Sequence, residues 1–158
     1  MSSRARIRGR RWRREPDAGG LAPALQGVLE TGVYVADLER ACAFYARVLG
    51  LQPMHRDTRM AAYAIAPAQV LLLFLQGGTS ATVTLPGGTI PPHDGSGRQH
   101  FALAIATDAL PGWENHLHAC GVVIEGRTQW PGGGQSIYFR DPDAHLLELA
   151  TPGLWANY

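Results

Sequence analysis

Polar and apolar positions along this chain follow one order of periods, and that order occurs twice. Val28 to Ala36 alternates, with Glu30, Gly32 and Tyr34 on one face and Thr31, Val33 and Val35 on the other. A period of two with β-branched and aromatic residues predicts a strand. From Leu38 the period lengthens, and Ala41, Cys42, Tyr45, Val48 and Leu49 fall along one side of a helix. Asp37 stands where an N-cap accepts from the free amides of the first turn, and Glu39 adds negative charge there. Arg47 in the last turn and Gly50 after it predict the stop. Met60–Ala66 and Val70–Leu75, parted by a turn at Pro67-Ala-Gln69, read as further strands of a meander. Residues 77–97 are rich in Gly, Pro, Thr and Ser and predict a linker with a short edge strand at Ala81–Leu85.

The pattern then starts again. His100–Ala106 predicts a strand, Asp108 an N-cap, and Leu110, Trp113 and Leu117 a helical stripe, with Pro111 in the first turn and Gly121 as the stop. Asp37 to Gly50 and Asp108 to Gly121 are both separated by thirteen positions. Val122–Glu125, Ser136–Arg140 and His145–Ala150 predict three more strands, parted by Pro131-Gly-Gly-Gly134 and by the turn Asp141-Pro-Asp-Ala144. The fold class is therefore α+β: two βαβββ modules, about 28–76 and 98–152, side by side in a curved mixed sheet around a cavity, with the helices on the outer face. The repeat is imperfect. Glu30 to Asp37 is one residue shorter than His100 to Asp108, which requires a bulge or a shift.

Composition changes this picture at one end only. All fourteen basic residues are arginines, and Arg4, Arg6, Arg8, Arg10, Arg11, Arg13 and Arg14 crowd the first fourteen positions. From Glu15 onward seven arginines face thirteen acids, a net charge of −6. Residues 1–24 are thus expected to be a disordered basic extension on an acidic domain, 25–158, with no aromatic platform to imply nucleic acid. Glu15-Pro-Asp-Ala-Gly-Gly20 stands where an export signal would carry its apolar region. No apolar run reaches the roughly 20 residues of a membrane helix. Two isolated cysteines, Cys42 and Cys120, form neither a disulfide framework nor a zinc motif, so a cytoplasmic setting is expected.

Three residues are costly where the pattern puts them. Glu30 and Glu148 are acids on otherwise apolar strands, and a buried carboxylate needs a partner. His100 opens the strand that corresponds to that of Glu30. Two carboxylates and an imidazole on three strands of one concavity would hold a divalent ion and leave positions open for substrate.

With these residues in view, the chain resembles the vicinal-oxygen-chelate superfamily, which includes glyoxalase I, fosfomycin-modifying enzymes, bleomycin-binding resistance proteins and extradiol dioxygenases. The resemblance rests on Asp-Leu-x-x-Ala-x-x-Phe-Tyr-x-x-Val-Leu-Gly-Leu from Asp37 and on Tyr-Phe-x-Asp-Pro-Asp-x-His-x-x-Glu ending at Glu148. It implies metal ligands at Glu30, His100 and Glu148, with Glu30 or Glu148 also able to carry a proton. Ser136 and Tyr138 match substrate-contacting positions of the fosfomycin-modifying members, and Tyr138 is taken as a catalytic candidate. Tyr34, Trp130 and Arg140 are candidates for substrate contact.

The departures matter too. The first ligand is usually His and here is Glu, a harder donor set that favours Mn, Mg, Zn, Ni or Co over Fe. The repeat maps Glu148 onto Leu71–Leu73, where no fourth ligand exists. The basic residue that fosfomycin-modifying members carry after the last glutamate has no counterpart in Thr151–Tyr158. The expectation is a metal-dependent enzyme acting on a small oxygen-chelating substrate, with lyase, isomerase or transferase chemistry ahead of ring-cleaving dioxygenation. The resemblance also implies a homodimer. The alternative is a metal-free binder of a drug-like molecule, as in bleomycin resistance, with stacking surface from Tyr34, Trp130 and Trp155.

Overall fold

The computed structural model describes residues 22–158, so most of the expected basic extension lies outside the described residues. Strand β1 (Glu30–Val35) runs into helix α1 (Leu38–Leu49), and β2 (Pro53–Arg56), β3 (Met60–Ala66) and β4 (Gln69–Leu75) follow. After a hairpin of β5 (Val83–Leu85) and β6 (Gly88–Ile90) come β7 (His100–Ala104), α2 (Leu110–Ala119), β8 (Gly126–Gln129), β9 (Gln135–Arg140) and β10 (Leu146–Ala150). The two modules build sheets of identical topology, β1-β4-β3-β2 and β7-β10-β9-β8. In each, the first strand is parallel to the last, so the chain must cross between them, and the helix makes that crossover. Among the described residues no helix is long and apolar enough to cross a membrane.

The caps explain α1. Asp37 accepts from the Arg40 amide at 3.0 Å, and Gly50 ends the helix with φ of 67°. The buried stripe Ala41, Cys42, Tyr45 and Val48 packs on Val33, Val35, Leu71 and Leu73, and one continuous core joins these to Phe101, Leu117, Ile137, Phe139, Leu147 and Leu149. Strand alternation then leaves Glu30, Gly32 and Tyr34, and His100, Tyr138 and Glu148, on the faces turned away from that core.

Three expectations need correction. Asp108 is not an N-cap: it lies in a 3-10 turn, Thr107–Ala109, and α2 starts at Leu110 with no side-chain cap. That turn absorbs the residue by which the second module is longer, so no bulge is needed. Val122–Glu125 forms no strand; pairing to β9 begins at Gly126. The edge strand expected at Ala81–Leu85 is the hairpin of β5 and β6.

The sheets do not merge into one ladder, and what joins them is the β9–β10 turn. Asp141 is 5% exposed; one carboxylate oxygen accepts from the amides of Asp143 (3.0 Å) and His145 (2.8 Å), the other from the Tyr45 hydroxyl of α1 (3.1 Å). Asp143 accepts from the Ala36 amide at 2.8 Å and from Arg40 at 3.2 Å. His145 is fully buried. Its Nδ1 accepts from the Gln99 amide at 2.9 Å, so the proton is on Nε2, which donates to the Tyr34 carbonyl at 2.9 Å. Gln99 returns the contact, its Oε1 accepting from the Tyr34 amide at 2.8 Å. Burial pushes the Tyr45 hydroxyl well above its ordinary value, and the Asp141 charge adds to the shift. Burial likewise raises the Asp141 carboxyl.

Two stability outcomes are expected from this turn. Asp141→Ala strands three donors and should cost about 3 kcal/mol in denaturant melts, whereas Asp141→Asn keeps an acceptor for both amides and should cost less. The raised carboxyl takes up its proton in the native chain before it does in the unfolded one. The wild type should therefore gain on Asp141→Asn as pH falls through the interval between the raised and ordinary values, and lose ground as pH rises through it. Ala144 has φ of 63°, a left-handed conformation that disfavours a Cβ. Ala144→Gly should raise stability by about 0.5 kcal/mol, the strain relieved less the entropy glycine loses.

Candidate metal-chelating site

The site is built on the second module. β10 lies between β7 and β9, with Glu148 across from Ala102 on one side and Tyr138 on the other, and Leu146 across from His100. That register brings His100 Nε2 to 3.3 Å from Glu148 Oε2. Tyr138 donates its hydroxyl to Glu148 Oε1 at 3.2 Å. Glu148 is 5% exposed, while the His100 side chain is 49% exposed, so the pair is closed beneath and open above.

The protonation pattern follows from the main chain. His100 Nδ1 is 2.9 Å from the Leu146 carbonyl. A carbonyl only accepts, so Nδ1 carries a hydrogen, and Nε2 is the nitrogen that faces the carboxylate oxygen and can carry a second proton or bind a cation. Two acceptors facing each other at 3.3 Å repel unless a proton or a cation stands between them. An imidazole oriented by a backbone carbonyl beside a carboxylate oriented by a hydroxyl is an arrangement that metal ligands adopt. On this chemistry His100 and Glu148 fit two ligands.

Glu30 does not join them within one chain. Among the described residues no group of three or more His, Cys, Asp or Glu side chains is gathered closely enough to hold a metal. The reason lies in the direction of the strands. The end of β1 at Tyr34 is tied to Gln99, at the start of β7, whereas Leu29 and Thr31 line a pocket with Phe101, Ala102 and Leu103. β1 and β7 thus run past one another in opposite directions. Glu30, four residues before Tyr34, is roughly 13 Å along the strand from the level of His100. Its side chain is exposed on the open face.

The remaining candidates divide. Ser136 is 1% exposed, and its hydroxyl accepts from the Trp130 indole at 2.8 Å. Trp130 is held by the glycine turn: a Cβ on Gly132 or Gly134 would collide with the backbone of Gly153, so only glycine lets the C-terminal segment pack there. Tyr34 stacks on Phe74, with centroids 5.5 Å apart, and its hydroxyl is 2.5 Å from His93 Nδ1, on the first module's face rather than beside Glu148. Arg140 is engaged at 3.0 Å by Glu125 and at 3.0 Å by the Ala144 carbonyl, and does not face His100 and Glu148 unpaired. Sequence reading assigned no role to Asp141, Asp143 and His145. The signal was present in an acid–proline–acid turn ending in a histidine, whose side chains suit the capping of nearby amides.

Comparison with known proteins bears on the fold that carries these residues. The profile of the Glyoxalase/Bleomycin resistance protein/Dioxygenase superfamily matches residues 27–149. The chain is 28% identical over 129 residues to the metallothiol transferase FosB of Shouchella clausii, covering 80% of this chain and 81% of that one. It is 49% identical to the FosB of Bacillus licheniformis over 53 residues, a stretch that spans about a third of either chain. Lactoylglutathione lyase from Agrobacterium tumefaciens superposes with a TM-score of 0.75 at 28% identity, covering 83% of this chain and 97% of that one. The protein belongs to the Glyoxalase/Bleomycin resistance protein/Dioxygenase superfamily, and its paired βαβββ modules are that family's fold.

Proposed function

We propose that the protein is a divalent-metal-dependent enzyme, and specifically a transferase that joins a thiol to a small substrate bearing two adjacent oxygens. The observation that carries the reading is the face-to-face pair of His100 Nε2 and Glu148 Oε2 at 3.3 Å, each group held from behind by its own hydrogen bond. Transferase chemistry is supported by likeness to a metallothiol transferase along four-fifths of the chain.

His100 and Glu148 would be two ligands, and Glu30 of a second copy the third. An exposed acid at the start of β1, with no partner for a metal among the described residues, is suited to reach across a dimer. Bound there, a divalent cation would supply a Lewis acid for the two substrate oxygens. Two carboxylates and one imidazole form a hard donor set, which favours Mn, Mg, Zn, Ni or Co over Fe. Tyr138 fixes the Glu148 carboxylate, and Glu148 and Glu30 are the groups able to accept the thiol proton. Trp130 and Ser136 form one wall of the cleft, with Trp130 orienting the Ser136 hydroxyl.

Protein purified without chelators should contain about one divalent ion per chain, and elemental analysis of Glu148→Ala and His100→Ala should find it gone. Mixing Glu30→Ala with Glu148→Ala under conditions that let subunits exchange separates a shared site from an internal one. Random re-pairing of a two-fold dimer restores about a quarter of the sites if the ligands come from two chains, and none if they come from one. Absence of metal from the wild type, with small-molecule binding retained, would favour a metal-free binding protein. Tyr138→Phe frees the carboxylate it holds and should weaken cation binding about tenfold by titration calorimetry, with little change in melting temperature.

A further inference from the structure

Where the end of α1 meets the first turns of α2, on the helix side and away from His100 and Glu148, the surface holds an open pocket of about 470 Å³. That volume lies within the range of small-molecule sites. Leu49, Ala109 and Trp113 supply apolar walls, and Arg47 and His116 are the polar side chains in the lining.

Two glycines complete it, for different reasons. Gly50 is required by the backbone, which turns left-handed there to end α1. Gly112 is inside α2, and a Cβ added to it would meet no atom within 4 Å. A glycine within a helix costs about 1 kcal/mol relative to alanine. No neighbour in the fold requires it, so its effect is to keep this side of the pocket free.

The charge is also unbalanced. Arg40, Arg56, Arg59, Arg127 and Arg140 each pair with a carboxylate. Among the described residues no carboxylate pairs with Arg47, whose guanidinium donates to the Cys120 carbonyl at 2.7 Å and has further N–H groups to offer. His116 is fixed by donation from Nε2 to the Val48 carbonyl at 3.0 Å, and its ring meets Trp113 edge-on, with centroids 5.7 Å apart. Cys120 Sγ is 3.6 Å from the same nitrogen, which already carries the proton given to Val48 and so cannot take one from the thiol. Cys120 is not among the residues that line the pocket.

We infer that this pocket binds a small aromatic carboxylate, the ring lying against Trp113 in the space left by Gly112 and the carboxylate paired with Arg47. Such a ligand touches the helices of both modules and stabilises the chain by binding only its folded form.

Titration calorimetry on the full chain with indole-3-acetate, and with indole as the uncharged counterpart, tests the inference. Indole-3-acetate should bind the wild type. Arg47→Gln should weaken it about tenfold while leaving indole unchanged, and Arg47→Lys should recover part of the loss. Gly112→Leu fills the space with a better helix former and should abolish binding of both probes in a protein that melts no lower than the wild type. Glu148→Ala should bind both probes as the wild type does, which separates this site from the chelating one. The inference is overturned if the wild type shows no binding, if Gly112→Leu or Arg47→Gln binds indole-3-acetate undiminished, or if Glu148→Ala loses it.

Discussion

The edge of β1 is the constraint from which the rest of the molecule follows. An edge strand presents a row of unpaired amides and carbonyls that water or another strand must satisfy. Here three of those groups, the Tyr34 amide, the Tyr34 carbonyl and the Ala36 amide, are satisfied by side chains of the other module: Gln99, His145 and Asp143. The β9–β10 turn that delivers two of them is stiffened from within by Asp141, which also takes the Tyr45 hydroxyl. A buried acid and a buried neutral histidine are expensive taken singly. Together they match the Tyr45 hydroxyl and the amides of Gln99, Asp143 and His145 to acceptors, and that matching fixes how the modules meet.

This docking decides what the site can be. Because Tyr34 is tied to Gln99, the end of β1 lies beside the start of β7, and the two acids and the histidine that share one kind of strand face cannot share one place. His100 and Glu148 meet because β7 and β10 are parallel neighbours in a single ladder, with Leu146 and His100 in register. Glu30 occupies the corresponding position in the first module, but that module's own last strand offers only Leu71, Leu72 and Leu73 near the equivalent of Glu148. At equivalent strand positions, then, one module holds a pair of donors and the other one acid, Glu30.

How much of this was legible in the sequence depends on what periodicity can carry. The switch from a period of two to one of 3.6, with Asp37 and Gly50 as punctuation, gave α1 to within a residue, and Met60–Ala66 emerged with its observed bounds. Asp108 misled because an acid before a helical stripe has the same appearance whether it caps the helix or sits in a 3-10 turn ahead of it. Val122–Glu125 misled because its exposure alternates as in a strand while the pairing is made further on, from Gly126. Glu148 was legible as an acid that an apolar strand would not tolerate without a partner, whereas Tyr138 was singled out by resemblance as a substrate contact and the structure pairs it with Glu148. What alternation cannot carry is the relative direction of two strands in different modules. It assigns Glu30 and His100 to like faces and says nothing of the 13 Å or so along the strand that separates them.

The separation is itself informative about chemistry. Suppose His100 and Glu148 were a finished unit, such as an imidazolium–carboxylate ion pair holding the strands together. The exposed imidazole would then add little, since ion pairs open to water contribute at most about 1 kcal/mol. Glu148 would remain an acid buried on the open side of a sheet, with one phenol and one half-exposed ring for company. The Leu146 carbonyl takes the Nδ1 hydrogen, which leaves Nε2 as the nitrogen that faces Glu148. An imidazole nitrogen and a carboxylate oriented toward a common point, with access from above, leave room for a cation between them. Among the described residues of the module the pair has no third acid or imidazole beside it, and the exposed acid of the other module, Glu30, stands at the far end of β1.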